Sequence, residues 1–203
     1  MKAKPTDLTA VSSNTPPNTG PFQCRGGHLH LPIRRVQQVN PCGCGLAALE
    51  MVLRYYGADV QQLDFLSSDE SLRNFVERED SRGLPEAEIG LLALKRGFKV
   101  TIYGENLKVP KTFLNLGGKL VRKHTNSGMI LRLLRKGVPP IVRLPSAEEA
   151  YGKDFEDTPH YVVVTGGHKD NLEVADPAYE KRIPKEYWSR WNGSIIAIER
   201  KIG

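Results

Sequence analysis

The sequence predicts an α+β domain, and three observations carry that prediction. The first is a helical apolar stripe, Leu46, Leu49, Leu53 and Tyr56, widened by Ala47 and Met51. It follows Asn40-Pro41-Cys42-Gly43 and is stopped by Gly57. The second is a helix–Gly–strand unit that occurs twice. Pro85-Glu86 opens a helix with Ile89, Leu91, Leu92 and Leu94, Gly97 ends it, and Phe98–Tyr103 alternates as a strand. Asn126-Ser127 caps the next helix, with Met129, Ile130, Leu133 and Leu134, then Gly137 and a strand over 138–144. The third is a C-terminal set of strands, His160–Val164, Asn171–Asp176 and Ser194–Ile198, the first two joined by a Gly166–Asp170 hairpin loop. Hairpins make antiparallel neighbours, so the helices pack on a mostly antiparallel β-sheet.

The remaining segments fill in around this frame. Residues 1–30 form a disordered tail of Ser, Thr, Asn, Pro and Gly with almost nothing to bury, and 31–203 form the folded domain. Gly26-Gly27 ends the tail without the apolar helix that a double-glycine leader presents. Leu31–Val36 reads as a short edge strand leading into Gln38. Val60–Glu79 carries Leu63, Phe65, Leu66, Leu72, Phe75 and Val76 in helical spacing, with Ser71 as a cap. Pro145–Pro159 is a charged loop whose large apolar groups are Tyr151 and Phe155; it either rims a cleft beside His160 or is a surface loop without a role. His160–Val164 is apolar without a break, as a strand covered on both faces should be. Pro184 begins a short helix through Trp191 whose Tyr187, Trp188 and Trp191 face the core.

Composition narrows the function. At 203 residues and 39% hydrophobic content the chain is one domain with a substantial core. The net charge of +6 comes from 29 basic and 23 acidic residues scattered as short pairs such as Arg34-Arg35 and Lys181-Arg182. That scatter reads as solvated faces rather than a patch for an acidic partner, and no nucleic-acid motif accompanies it. Of the 3 cysteines, Cys42 and Cys44 are separated only by Gly43, a poor geometry for a disulfide, so a reducing compartment is expected. A single Cys-x-Cys with no second pair argues against zinc, and no other cofactor is indicated. No apolar run approaches the ~18 residues of a membrane span, and Lys2 and Lys4 have no apolar segment behind them to make a Sec signal.

Chemistry concentrates on Cys44. A cysteine in the first turn of a buried helix lies where unpaired N–H groups and the positive end of the dipole favour thiolate. Gln38 is six residues before it, His160 opens an apolar strand far downstream, and the Asp176-Pro177 turn follows one strand later. Across the predicted hairpin, His160 near the start of one strand faces Asp176 at the end of the other. Nucleophile, amide donor, base and base-orienter are thus all present in one ordered set. His28 and His30 lie in or beside the tail, His124 in a loop and His168 in the hairpin turn, all surface positions.

Gln38–Gly57, with His160–Gly166 and Val174-Ala-Asp176-Pro177, resembles the papain-like peptidases that remove double-glycine leaders from bacteriocins. It is closer still to their stand-alone bacteriocin-peptidase-like relatives, over Leu31 to the C-terminus. The resemblance implies a papain-like cysteine protease fold, an N-terminal nucleophile helix packed on the sheet that carries His and Asp. It implies Cys44 as nucleophile, His160 as general base, Asp176 as its orienter and Gln38 as oxyanion donor. Cys44 is preferred to Cys42 because Gly45 follows it as in that family, and because Cys44 rather than Cys42 enters the helix. The expected partner is a protein or peptide substrate bound by a monomer, with no nucleic acid and no membrane span. The same residues serve an acyltransferase of transglutaminase type, and some relatives survive as silent peptide-binding modules. The expected location is the bacterial cytoplasm, or delivery into a host cell through a non-Sec system, since the Ser/Thr/Asn/Pro-rich start is like that of exported effectors.

Overall fold

The structure, a computed structural model, describes residues 28–78, 83–169 and 171–201. The expected tail and its Gly26-Gly27 pair lie outside the described residues as far as residue 27. Leu29–His30, which the sequence reading placed at the end of that tail, form strand β1. The expected edge strand at Leu31–Val36 is therefore displaced to Leu29–His30. Pro32 has no N–H to give a ladder, so regular pairing stops at Leu31, whose N–H still reaches the Thr165 carbonyl at 2.7 Å.

Helix α1 runs from Cys44 to Tyr55 with Gly43 at its N-cap. Ten consecutive residues from Cys44 to Leu53 are buried, so the apolar stripe is the centre of a helix covered all round. The expected helix over 60–79 is two, α2 (Gln62–Ser68) and α3 (Glu70–Glu77). Asp69 breaks it: its backbone is extended, at φ −145° and ψ 101°, and its carboxylate accepts from the Leu72 N–H at 3.0 Å. Asp69, rather than Ser71, is the cap. The two helix–Gly–strand units follow as expected, α4 (Glu86–Lys95) with β2 (Lys99–Tyr103), and α6 (Ser127–Arg135) with β4 (Pro140–Leu144). Asn126 caps α6 through the Met129 N–H. Between these units lie α5 (Lys111–Asn115) and β3 (Lys119–Val121), which no sequence signal announced.

The charged segment before His160 holds a short helix, α7 (Ala147–Tyr151), capped by Ser146. Strands β5 (His160–His168) and β6 (Asn171–Ala175) form the hairpin, but β5 continues through the glycines expected in the loop. A Cβ on Gly166 would lie 2.5 Å from the Leu29 carbonyl oxygen, so this glycine admits β1 rather than making the turn. Helix α8 (Lys185–Arg190) and β7 (Ile195–Glu199) complete the chain.

The strands make one seven-stranded sheet in the order β1-β5-β4-β7-β2-β3, with β6 on the other edge of β5. All pairings are antiparallel except β2 with β3. Alternation along the strands splits the core in two. Ile141, Tyr161, Val163, Ile196 and Ile198 face α1, α2, α3 and α4, while Val142, Val162, Val164, Ile195 and Ala197 face α6, α7 and α8. The aromatic face of α8 is core, with Trp188 only 1% exposed.

Candidate active site

Three chain segments converge at one end of β5. The turn before α1 supplies the first. The Gly43 N–H donates to the Asn40 carbonyl at 3.0 Å, and a Cβ at Gly43 would lie 2.8 Å from Asn40 Oδ1. This tight turn places Cys44 as the first residue of α1, buried at 5% exposure, whereas Cys42 in the turn is half-buried. Neither is disulfide-bonded. Gly45 lets α1 lie close against α4, since a Cβ there would meet Ile89 Cδ1 at 2.7 Å.

The hairpin supplies the second segment. His160 and Asp176 are both buried, and His160 Nε2 is 2.9 Å from Asp176 Oδ1. Asp176 Oδ1 also accepts the N–H groups of Ala178 at 2.7 Å and Tyr179 at 2.8 Å, so the Asp-Pro turn fixes its own carboxylate. With Nε2 taken by Asp176, Nδ1 is the ring nitrogen left for the hydrogen bond with Cys44. Burial alone would push the imidazole down, but hydrogen bonds to Asp176 and Cys44 and the charges of both hold it up at about 9. Burial works against the Asp176 carboxylate too. The His160 hydrogen bond and charge outweigh it, with help from Tyr151 and the Tyr179 N–H, and hold it below its ordinary value.

The third segment is the strap through Gln38. Its backbone N–H donates to the Pro177 carbonyl at 3.0 Å, tying the strap to the Asp176-Pro177 turn. Arg35 reinforces the link through Nε to the Asp176 carbonyl and a guanidinium contact of 2.8 Å to Glu180. Gln62 holds the strap from below. Its amide donates to the Gln37 carbonyl at 3.0 Å and to buried Glu50 at 3.2 Å, and its carbonyl accepts from the Val39 N–H at 3.1 Å. Gln38 Nε2 donates to the Pro41 carbonyl at 2.9 Å, which uses one of its two N–H groups and leaves the other.

The structure thus links Cys44, His160 and Asp176 through the imidazole, and ties Gln38 to the same loops. What sequence reasoning missed is Tyr151. The sequence shows it as a large apolar group of a charged loop that either rims the cleft or has no role, yet α7 buries its ring and its hydroxyl donates to Asp176 Oδ2. The ring packs against Phe155 at 5.3 Å and Tyr179 at 5.2 Å between centroids, and Tyr179 in turn lies tilted against His160 at 5.0 Å. Ser146-Ala-Glu-Glu149, a Ser with Glu three residues later, was the signal that could have shown a capped helix there. The other histidines stay at the surface, His28 and His30 against Glu173 and His124 against Glu105. Among the described residues no group of three His, Cys, Asp or Glu side chains could hold a metal ion, and no helix is long and apolar enough to cross a membrane.

Three solved structures share this fold. The peptidase domain of Streptococcus ComA, a bifunctional ABC transporter involved in a quorum-sensing pathway, is 18% identical with a TM-score of 0.52 over 83% of this chain and 99% of its own. A double-glycine-motif protease from an AMS/PCAT transporter, solved in complex with a leader peptide, is 18% identical with a TM-score of 0.51, covering 85% of this chain and 94% of its own. A C39-like peptidase from Bacillus anthracis is 14% identical with a TM-score of 0.54, covering 84% of this chain and 96% of its own. Identities this low speak for a shared fold, the papain-like one, and not for a shared substrate. No curated protein matches the sequence. The sequence profile of the Peptidase_C39-like family matches residues 30–196, from the last residue of β1 to the second residue of β7, a span that contains Gln38, Cys44, His160 and Asp176. The chain belongs to the Peptidase_C39-like family of peptidases.

Proposed function

We propose that this protein is a cysteine peptidase that hydrolyses a peptide bond in a protein or peptide substrate through Cys44, His160 and Asp176, with Gln38 as oxyanion donor. The observation that carries the proposal is the buried imidazole held at 2.9 Å by Asp176 through Nε2 and hydrogen-bonded to Cys44, the first residue of α1. His160 takes the Cys44 proton, and the sulfur attacks the carbonyl carbon. The resulting oxyanion is met by the Cys44 backbone N–H and the second N–H of Gln38. The imidazolium then protonates the departing amine, leaving a thioester. Water, deprotonated by His160, attacks that thioester and releases the acid and the thiol. Asp176 holds the ring tautomer and stabilises its cation throughout. The leader peptide bound to one structural relative supports a peptide as ligand here as well.

Mass spectrometry of lysates incubated with the protein and with its Cys44→Ala form tests this reading. New peptide termini made by the wild type alone support hydrolysis, and Cys42→Ala should make the same termini. New isopeptide bonds would instead show acyl transfer, and identical products from both forms would leave a peptide-binding module.

A further inference from the structure

Asp176 presents two carboxylate oxygens, and the structure treats them differently. Oδ1 receives His160 Nε2 and two backbone N–H groups, while Oδ2 receives the Tyr151 hydroxyl. We propose that Tyr151 is a positioning residue of this site, whose phenol fixes the rotation of the Asp176 carboxylate so that Oδ1 faces the imidazole. The proposal rests on the reading of Cys44 and His160 as a catalytic pair.

The geometry leaves the phenol little else to do. Tyr151 is the last residue of α7 and is 4% exposed, and its hydroxyl would be a buried unpaired donor without Asp176. Its ring is wedged between Phe155 and Tyr179, so the hydroxyl cannot swing away without opening that aromatic cluster. Lys181 locks the end of the helix, with Nζ 2.7 Å from the Tyr151 carbonyl and 4.8 Å from the centre of the Phe155 ring. Burial and the neighbouring Asp176 charge both push the phenol up, so it remains a protonated donor at any working pH. A hydrogen bond donated to a carboxylate favours the ionised form and removes one degree of rotation. Without it, Asp176 would take up a proton at higher pH, and a neutral Asp176 does not support imidazolium.

The charged and titratable groups around the pair are Cys44 from α1, and Arg35 with Glu180 at the Asp176 carbonyl. Tyr151, Lys181, Tyr179, Glu156 and Tyr187 flank the other side. Among the described residues, the side chains that donate to the Asp176 carboxylate are Tyr151 and His160.

The test reads the rate of Cys44 alkylation by iodoacetamide against pH, which needs no substrate. It uses the full chain as wild type, Tyr151→Phe, Tyr151→Met, Phe155→Leu, and Asp176→Asn with and without Tyr151→Phe. In both Tyr151 variants the acid limb of the profile should move up by about half to one pH unit. Phe155→Leu, which disturbs the same packing but leaves the hydroxyl, should leave the limb in place. In the Asp176→Asn background, Tyr151→Phe should change the rate by less than about two-fold. With a peptide substrate in hand, Tyr151→Phe should lower kcat about ten- to a hundred-fold with KM changed less than about two-fold. An unmoved acid limb in the Tyr151 variants, an equal shift in Phe155→Leu, or the same further loss in the Asp176→Asn background would overturn the assignment of Tyr151 while leaving the peptidase reading intact. A wild-type Cys44 that reacts as slowly at about pH 6 as an ordinary thiol would overturn both.

Discussion

The two sides of the sheet serve the site by different physics. On one side, α1 delivers Cys44 from a helix buried over ten consecutive residues and packed on α4 and β5 with apolar contacts. Polar bonds there act on the strap, through Glu50 and Gln62, more than on the cysteine. On the other side the base depends on polar geometry. His160 and Asp176 are set by a hairpin register, two turn N–H groups and the hydroxyl of a five-residue helix. Apolar burial is non-directional and fixes where a helix lies, which suffices for a nucleophile at a helix end. An imidazole must also have the right face and tautomer, and that takes directional bonds.

The contrast is testable, and the largest effect should come from the polar side. Asp176→Asn fits the same space, with its carbonyl toward the turn N–H groups and its amide toward Tyr151, but it cannot stabilise imidazolium. Turnover should fall by roughly 10³–10⁴ while the fold is retained. Wild-type turnover in that variant would move the orienting role elsewhere.

Gln38→Ala comes next. Losing one oxyanion donor should lower kcat by about 10²–10³. The strap itself should stay in place, because the Gln38 backbone N–H still binds Pro177 and Gln62 still binds Gln37 and Val39. A change confined to KM would show that Gln38 binds substrate instead.

Leu49→Ala probes the apolar side. Leu49 is fully buried in α1, and its truncation should destabilise the fold by about 2–5 kcal/mol in denaturant unfolding. Turnover per folded molecule should stay within a few-fold of wild type, because the helix is fixed along its whole length. A large loss of turnover in fully folded protein would mean that packing, too, tunes the site.

The smallest effect is in stability against pH. His160 is held up at about 9 in the folded protein, above its ordinary value of 6.5. Its contribution is therefore complete below the lower value and lost as pH rises through the higher one. Asp176 works the other way, since its depressed carboxyl contributes above the ordinary value and loses that contribution as pH falls. Because Cys44 helps to hold up the imidazole, the melting temperature of Cys44→Ala should fall less than that of wild type on going from about pH 7 to about pH 10. Equal falls would show that Cys44 and His160 are not coupled.

How much of this was legible in the sequence follows the same division. By itself the sequence determined the elements with strong local signals. These are α1 with its Gly57 stop, the α4–β2 and α6–β4 units, the hairpin, and the order of Gln38, Cys44, His160 and Asp176 along the chain. Helical and strand periodicity, caps and glycine stops act within about ten residues, so they can be read without knowing the fold. The hairpin is also local, which is why the approach of His160 to Asp176 could be expected from spacing alone. Only the tertiary structure decided the rest. It showed that Leu29–His30 rather than Leu31–Val36 is the edge strand, because β1 exists through its pairing with Gly166 and Gly167 across the molecule. It broke the helix at Asp69, where a side-chain cap outcompeted apolar periodicity. It tied Gln38 to Pro177 and brought the Tyr151 hydroxyl to Asp176, contacts between residues far apart in sequence. Such contacts leave no periodic trace, because a hydrogen bond between remote segments depends on where the packed core carries them, and that position is a property of the whole fold.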